Sequence, residues 1–389
     1  MNKINEIWDK LVTNGFKVST DTRTDVSGSI FFALKGDTFD GSTFAKDALA
    51  KGAVGVVTED ALLVLQKLAR RYRELFNIPI IAIGGSNGKT TSRELIRNVL
   101  ETRYKVHTTE SNLNNHIGLP LSILAMSRST EIGIFEIGAN HLGEHTSLLE
   151  ILNPTNVIVT NNGMDHLEGF GSPAEVIKAN EEINEWARKH GGAILTSIEH
   201  GLEITTSLPL TITKGGKKYQ TRMVGDYNLE NIDRALSIGL SFQIDMEKAL
   251  EAICKYTPTA QRSQLVLKDG NRFVVDCYNA NPTSMMLALE SFIKSAEEPR
   301  GIILGDMLEL GSFADEEHKK IIDFVAKQKL DTIVFIGKHF KQALNKNGFK
   351  NFWFPDSLSA QEWFSKQKFN GYTFLLKGSR GTKVEKVIA

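Results

Sequence analysis

Cysteine is scarce in this chain: Cys254 and Cys277 are the two among 389 residues. They form no CxxC pair and have no histidines at metal spacing. A disulfide framework and a zinc site are therefore disfavoured, and two small buried thiols in a reducing compartment fit better. Neither sign of charge is in excess, because Lys+Arg and Asp+Glu both number 46. No net field draws the protein to nucleic acid or to an anionic lipid surface. No stretch approaches the roughly 18 apolar residues that would span a bilayer. The amphipathic start Met1-Asn-Lys-Ile-Asn-Glu-Ile-Trp-Asp-Lys10 lacks the apolar run of a secretion signal. Internal repeats and low-complexity tails are also missing. These absences lead us to expect a cytoplasmic monomer acting on small molecules.

The length exceeds one compact core, and on a prior of about 100–200 residues per domain it divides into two or three. We expect three α/β domains, at 1–78, 79–256 and 257–389. In the first, Ile30-Phe-Phe-Ala-Leu34 and Val54-Gly-Val-Val57 read as strands, and 42–51 and 60–75 as helices. The second carries the buried strands Glu131–Ile137 and Thr155–Thr160, then short strands and turns over 197–222, with Pro79 as a hinge. The third alternates strand and helix, with strands at 272–276, 301–305, 332–336 and 372–376. That order predicts a parallel sheet with helices on both faces, with the boundary near Pro258.

What the chain does have is Ile78-Pro-Ile-Ile-Ala-Ile-Gly-Gly-Ser-Asn-Gly-Lys-Thr-Thr91, an apolar strand that breaks into a glycine loop and enters a helix. Backbone N–H groups of Gly85, Ser86, Asn87, Gly88 and Lys89 can face phosphate oxygens, Lys89 adds a cation, and Thr90 can offer its hydroxyl to Mg2+. Thr91 and the residues after it begin a helix whose positive end faces the anion. The cradle is a shortened one, because the glycine usual six places before the lysine is Ile83. A nucleoside triphosphate is the expected ligand.

Glu136 and His166 follow the ends of two central strands, and Thr90 with Glu136 forms a natural oxygen pair for Mg2+. Asn112, Asn114 and Asn115 precede an apolar helix. Amides that donate and accept suit a sugar or a peptide backbone, whereas helix capping explains one asparagine but not three. Asp276, Asn279 and Asn281 leave a strand at a ligand-binding edge. Lys377 and Arg380 flank a glycine turn that could hold a carboxylate or phosphate. Gly305-Asp-Met-Leu-Glu-Leu-Gly311 and His318 occupy similar places with less telling chemistry.

Taken together these stretches resemble the Mur ligases over nearly the whole chain. The matching pieces are Thr20-Asp-Thr-Arg23, Phe31-Phe-Ala-Leu-Lys-Gly36, Asp40-Gly41, the loop Gly85–Thr91, Asn112–Pro120, Glu136–Asn140, His166–Ser172, Tyr227-Asn228, Asp276–Asn281, Gly305–Gly311 and Lys377–Gly381. The resemblance implies a three-domain architecture with a P-loop central domain and a Rossmann-like C-terminal domain. It further implies an ATP- and Mg2+-dependent amide ligase, of the type that adds D-alanyl-D-alanine to a UDP-N-acetylmuramoyl-tripeptide through an acyl phosphate. By this resemblance Ser19, Thr20, Asp21, Arg23, Lys35 and Gly36 contact UDP, and Asn112, Asn114 and Asn115 the muramoyl-peptide. Lys89, Glu136 and His166 are catalytic, and Thr90, Glu136 and His166 hold metal. Asn228, Arg262, Asp276, Asn279 and Asn281 border the nucleotide with the loop itself, and Lys377 and Arg380 lie near the dipeptide. A divergent ligase with another amine or carboxylate, a non-catalytic binder of the UDP-muramoyl-peptide and a switch NTPase stay open as alternatives.

The chain departs from the family in the central segment. Where such enzymes commonly carry a lysine fourteen residues after the metal-binding histidine, whose carbamate ligates Mg2+, this chain has Asn180. An amide cannot take up CO2. Glu181, one residue on, is turned by about 100° on a helix. Asp165 stands where a small residue is usual and could restore a negative charge. The 197–222 stretch is also short. An altered second metal site is the expectation.

Overall fold

The computed structural model of the chain describes residues 2–36, 38–110, 113–344 and 351–389. Every residue of Ile80–Gly84 and Ile132–Glu136 is buried. Unbroken apolar runs of this kind become central parallel strands, covered on both faces. The backbone divides into two compact units. One comprises Met1–Gly84, Tyr104–Val159 and Glu181–Leu195, the other Gly85–Arg103, Thr160–Asn180 and Thr196–Ala389.

The first unit contains a five-stranded sheet in the order Ala193–Ile194, Asn156–Val159, Ile80–Gly84, Ile132–Glu136, Val106–Thr108, parallel throughout. A three-stranded parallel sheet is formed by Val18–Ser19, Ile30–Phe32 and Gly55–Val57. Beside it in sequence lies the hairpin of Lys35–Gly36 with Phe39–Asp40. One hydrophobic cluster serves both larger sheets, joining Leu11, Phe32, Leu65 and Tyr72 to Ile80, Phe135, Leu149 and Trp186. Apolar packing thus continues past residue 78. The buried Arg73 adds a polar tie: its guanidinium donates to the carbonyls of Leu152 at 3.0 Å, Phe76 at 2.8 Å and Asn153 at 3.0 Å.

The second unit is built on a six-stranded sheet ordered Gln264–Lys268, Asn271–Asp276, Thr373–Lys377, Arg300–Gly305, Thr332–Ile336, Phe352–Phe354. It is mixed, not purely parallel as the strand–helix alternation predicts. Gln264–Lys268 runs antiparallel to Asn271–Asp276, because Asp269 and Gly270 both take positive φ and close a two-residue hairpin. Three antiparallel strands, Glu203–Ser207, Leu210–Lys214 and Lys217–Gln220, occupy the stretch expected to be short strands and turns. The helices Lys89–Leu100, Asn228–Ser241 and Met246–Lys255 pack on one another. Among the described residues no helix is long and apolar enough to cross a membrane.

Arg73→Ala would leave three carbonyls without their charged donor. We expect it to lower stability by about 3 kcal/mol, at roughly 1 kcal/mol or more per charge-assisted bond. Lys67→Ala, at an exposed position of the same helix Ala61–Arg73, should change it by less than about 0.5 kcal/mol. Urea unfolding midpoints of the two variants check the difference.

Candidate active site

The phosphate loop is shaped by two glycines that no other residue could replace cheaply. Gly85 has φ +108° and Gly88 has φ +79°. A β-carbon on Gly85 would sit 2.7 Å from the Thr160 backbone nitrogen, and one on Gly88 would collide with Asn231 Oδ1. Gly88 is the N-cap of the helix Lys89–Leu100, so Lys89, Thr90 and Thr91 form its first turn, one residue pair earlier than the sequence pattern indicates. The Lys89 ammonium arches back over the loop, donating to the Gly85 carbonyl and, at 3.0 Å, to that of Ser86.

Asparagines hold this loop from behind. Asn161 imitates a strand partner: its carbonyl accepts from Ser86 N–H at 2.9 Å, its Oδ1 accepts from Asn87 N–H at 3.0 Å, and its Nδ2 donates to the Asn87 carbonyl at 3.2 Å. Asn281 caps the helix Pro282–Ser295 with Oδ1, accepting from Ser284 N–H at 2.8 Å, while its Nδ2 donates to Asn87 Oδ1 at 2.8 Å. Behind Gly88, Asn231 Oδ1 accepts from the Ser92 hydroxyl at 3.0 Å and from Arg234 at 3.1 Å. Arg234 also reaches the Thr160 carbonyl at 2.8 Å. Asn161, Asn231 and Arg234 are absent from the sequence-based set. Asn161 follows a strand end and was discoverable by that rule, whereas the other two act through contacts made only in the folded helix trio.

The remaining expected residues of this unit gather in part. Arg262 stacks its guanidinium 3.5 Å over the Tyr278 ring and is flanked by left-handed Ala260, Gln261 and Ser263. Asp276 accepts from Ser263 N–H at 3.2 Å. Asn279 turns its Oδ1 to the Ala280 N–H at 2.9 Å. Two of the expected residues are occupied by protein partners. Lys377 is only 2% exposed and its ammonium is paired with Asp276 at 2.5 Å, so in this structure it braces Asp276 and is not the free cation the sequence suggests. Asn228 is buried with both amide atoms used, on the Val224 carbonyl and on Asn231, so it anchors the start of its helix. Arg380 remains exposed, bonded to Gln261 and Glu385.

Asp165 and His166 lie in the segment between the strand Asn156–Val159 and the helix Leu167–Phe170, a few residues beyond Asn161. His166 Nδ1 lies 2.7 Å from Glu309 Oε2, and that hydrogen bond holds the Glu309 carboxyl below its ordinary range. Asp165 is buried with Oδ1 unpartnered. Asn180, buried at the family's lysine position, donates to Asn162 Oδ1 at 2.9 Å and lies 3.5 Å from Ser86 Oγ. It acts as a neutral strut behind the loop. Glu181 pairs with Asn184 and Arg188 along its own helix, as its rotation predicts.

In the first unit Glu136 ends its strand buried, its N–H donating to Thr109 Oγ1 and its Oε1 accepting from Asn114 Nδ2, both at 3.0 Å. Asn115 Oδ1 accepts from Ile117 and Gly118 N–H groups and is a helix cap. Asn114 orients the glutamate, and Asn112 lies outside the described residues. One asparagine of the cluster therefore caps and another positions a carboxylate. Near the N-terminus Ser19 Oγ donates to the Asp21 carbonyl. Arg23, with its side chain 88% exposed, binds Asp21 at 2.6 Å, which draws the Asp21 carboxyl down to about 2. Thr20 lies between these contacts, and Lys35 reaches Asp40 at 3.3 Å on the exposed hairpin that includes Gly36.

Comparison with known proteins places the chain in a family. Three family models match in succession: "Mur ligase family, catalytic domain" over residues 17–111, "Mur ligase middle domain" over 83–205 and "Mur ligase, glutamate ligase domain" over 261–380. The UDP-N-acetylmuramoyl-tripeptide–D-alanyl-D-alanine ligase of Bacillus subtilis is 30% identical, over 99% of this chain and 94% of that one. The chain belongs to the Mur ligase family. The corresponding Escherichia coli enzyme is 28% identical over 95% of this chain and 92% of its own. A crystal structure of MurF from Acinetobacter baumannii superposes with a TM-score of 0.84 at 25% identity, covering 95% of this chain and 92% of that one. MurF from Thermotoga maritima, solved in complex with ADP, shares the fold at a TM-score of 0.78 and 23% identity, over 95% of this chain and 96% of that one. The architecture is the three-domain one of the Mur ligases, as the resemblance implies.

Gly88→Ala forces a side chain into the left-handed region, which costs about 1–2 kcal/mol, and against Asn231. We expect ADP affinity to fall at least about tenfold, and a Gly88→Ala/Asn231→Ala pair to recover only the steric part. Isothermal titration with ADP measures both.

Proposed function

We propose that this protein is a UDP-N-acetylmuramoyl-tripeptide:D-alanyl-D-alanine ligase, a cytoplasmic monomer that uses ATP to make one amide bond in peptidoglycan precursor synthesis. The observation that carries the reading is the clamped glycine loop, with Lys89 bent over it at a helix N-terminus, in a chain of this family.

A carboxylate is a poor acyl donor because its leaving group would be oxide. Its oxygen therefore attacks the γ-phosphorus of ATP, ADP departs, and an acyl phosphate results. The amine nitrogen of D-alanyl-D-alanine attacks the acyl carbon, loses a proton, and the tetrahedral intermediate expels inorganic phosphate. The protein's part is positioning and charge neutralisation. Lys89 and the loop N–H groups hold phosphate oxygens. Asn281 and Asn161 keep Asn87 and the loop from collapsing. Arg262 over Tyr278 offers a flat cationic edge to the nucleotide, with Asp276 and Asn279 flanking Tyr278 in sequence and Lys377 bracing Asp276. Ser19, Thr20, Asp21, Arg23, Lys35 and Gly36 take the UDP end, with Asn114 and Asn115 toward the peptide and Arg380 toward the incoming dipeptide.

For Mg2+, the Thr90 hydroxyl and the Glu136 carboxylate would each supply a hard oxygen, and His166 would ligate through Nε2, since its Nδ1 faces Glu309. The ion would neutralise phosphate charge as it transfers. Asn180 brings no carbamate to this centre, and we place the compensating charge on the buried carboxylate of Asp165.

Phosphate release tests the activity. We expect release only when UDP-N-acetylmuramoyl-tripeptide and D-alanyl-D-alanine are both present, whereas release with neither would indicate a switch NTPase and none at all a binding protein. The carbamate-free centre has its own outcome: the ligation rate should be the same in CO2-depleted and bicarbonate-supplemented buffer. Stimulation by bicarbonate would contradict it.

A further inference from the structure

We infer that Glu309 is a positioning residue that sets the ring of His166 for metal binding, an inference that rests on the assignment of His166 to Mg2+. Two turns meet here. His166 has φ +49° and Glu309 has φ +64°, both in the left-handed region that disfavours side chains bearing a β-carbon. Glu309 Oε2 is 2.7 Å from His166 Nδ1, and the Glu309 carbonyl accepts from Glu168 N–H at 2.9 Å. A β-carbon on Gly311 would lie 3.3 Å from the Glu168 Cα, so this turn sits close against the one that follows His166.

Stability does not explain the arrangement. The two side chains are 27% and 52% exposed, and an ion pair that open contributes little. Two left-handed non-glycine residues cost more than such a pair returns. Strain retained without a stability gain marks a functional constraint.

The support behind Glu309 is rigid. His318, fully buried, donates from Nδ1 to the Ala314 carbonyl at 2.6 Å, and its Nε2 accepts from Met307 N–H at 3.0 Å. Leu308 N–H donates to Ser379 Oγ at 2.9 Å. Glu309 is thus presented by a loop fastened at the two residues before it. On the other side, the His166 carbonyl accepts from Gly169 and Phe170 N–H groups at 2.9 and 3.0 Å, which fixes the backbone and leaves the ring orientation to Glu309. A carboxylate accepting from Nδ1–H holds the neutral imidazole in the tautomer whose lone pair is on Nε2, the state that can ligate a metal. The Gly305–Gly311 motif acquires a role by this reading: it aims a metal ligand from outside the metal's own coordination sphere.

Nitrogen-15 NMR of the His166 ring in metal-free protein at about pH 8, above the ordinary histidine pKa of about 6.5, reads the tautomer directly. Mn2+ binding in the presence of ADP, followed by electron paramagnetic resonance, reads the metal. We expect Nδ1–H in the unaltered protein. Glu309→Ala should move the ring toward Nε2–H and weaken Mn2+ at least about tenfold. Glu309→Gln, whose Oε1 still accepts, should keep the tautomer and most of the affinity. Unchanged Mn2+ affinity in Glu309→Ala overturns the proposal, whichever tautomer appears. His166→Ala separates the two levels. If it weakens Mn2+ while Glu309→Ala does not, positioning alone fails; if neither weakens it, the assignment of His166 to the metal fails.

Discussion

The site depends on keeping a short glycine loop open in front of a helix N-terminus. Such a loop has few contacts of its own, and its left-handed residues would relax if nothing held them. In this protein the restraint is made of neutral amides. Asn161 replaces a missing strand neighbour, Asn231 fills the space behind Gly88, and Asn281 joins Asn87 to the cap of a second helix. Amides suit the task because each can donate and accept at once, and because they bring no charge to compete with a phosphate for Lys89.

That neutrality extends to Asn180. At this position the family resemblance implies a modified lysine that would bring a negative charge; the structure gives an amide bonded to Asn162. Two asparagines facing one another satisfy themselves without an ion. Asp165, beside His166 in sequence, is buried with one oxygen unpartnered. Our proposal for the second metal site is that Asp165 carries the charge that Asn180 does not.

Much of this was legible in the sequence, for physical reasons that differ by element. The strand Ile80–Gly84 and its glycine loop were plain because an apolar run followed by Gly-Lys-Thr has few other uses. Glu136 and His166 were singled out because strand ends carry function in α/β sheets. Asn114 and Asn115 were noticed together, yet one caps a helix and the other orients Glu136, a division that only the fold decides. Lys377 looked like a free cation until its partner, Asp276, about a hundred residues away in the chain, appeared on the neighbouring strand. The edge strand Gln264–Lys268 was missed although Asp269-Gly270 is a hairpin signal. Asn231 and Arg234 gave no signal, since their role comes from helix packing and not from any local pattern.

The central claim is that the carboxylate of the muramoyl-peptide is phosphorylated before the amine attacks. Ligation with that carboxylate labelled in oxygen-18 tests it most directly, because the oxygen that attacks ATP must leave in phosphate. The account predicts one oxygen-18 atom in each inorganic phosphate released, and unlabelled phosphate accompanying amide formation would contradict it.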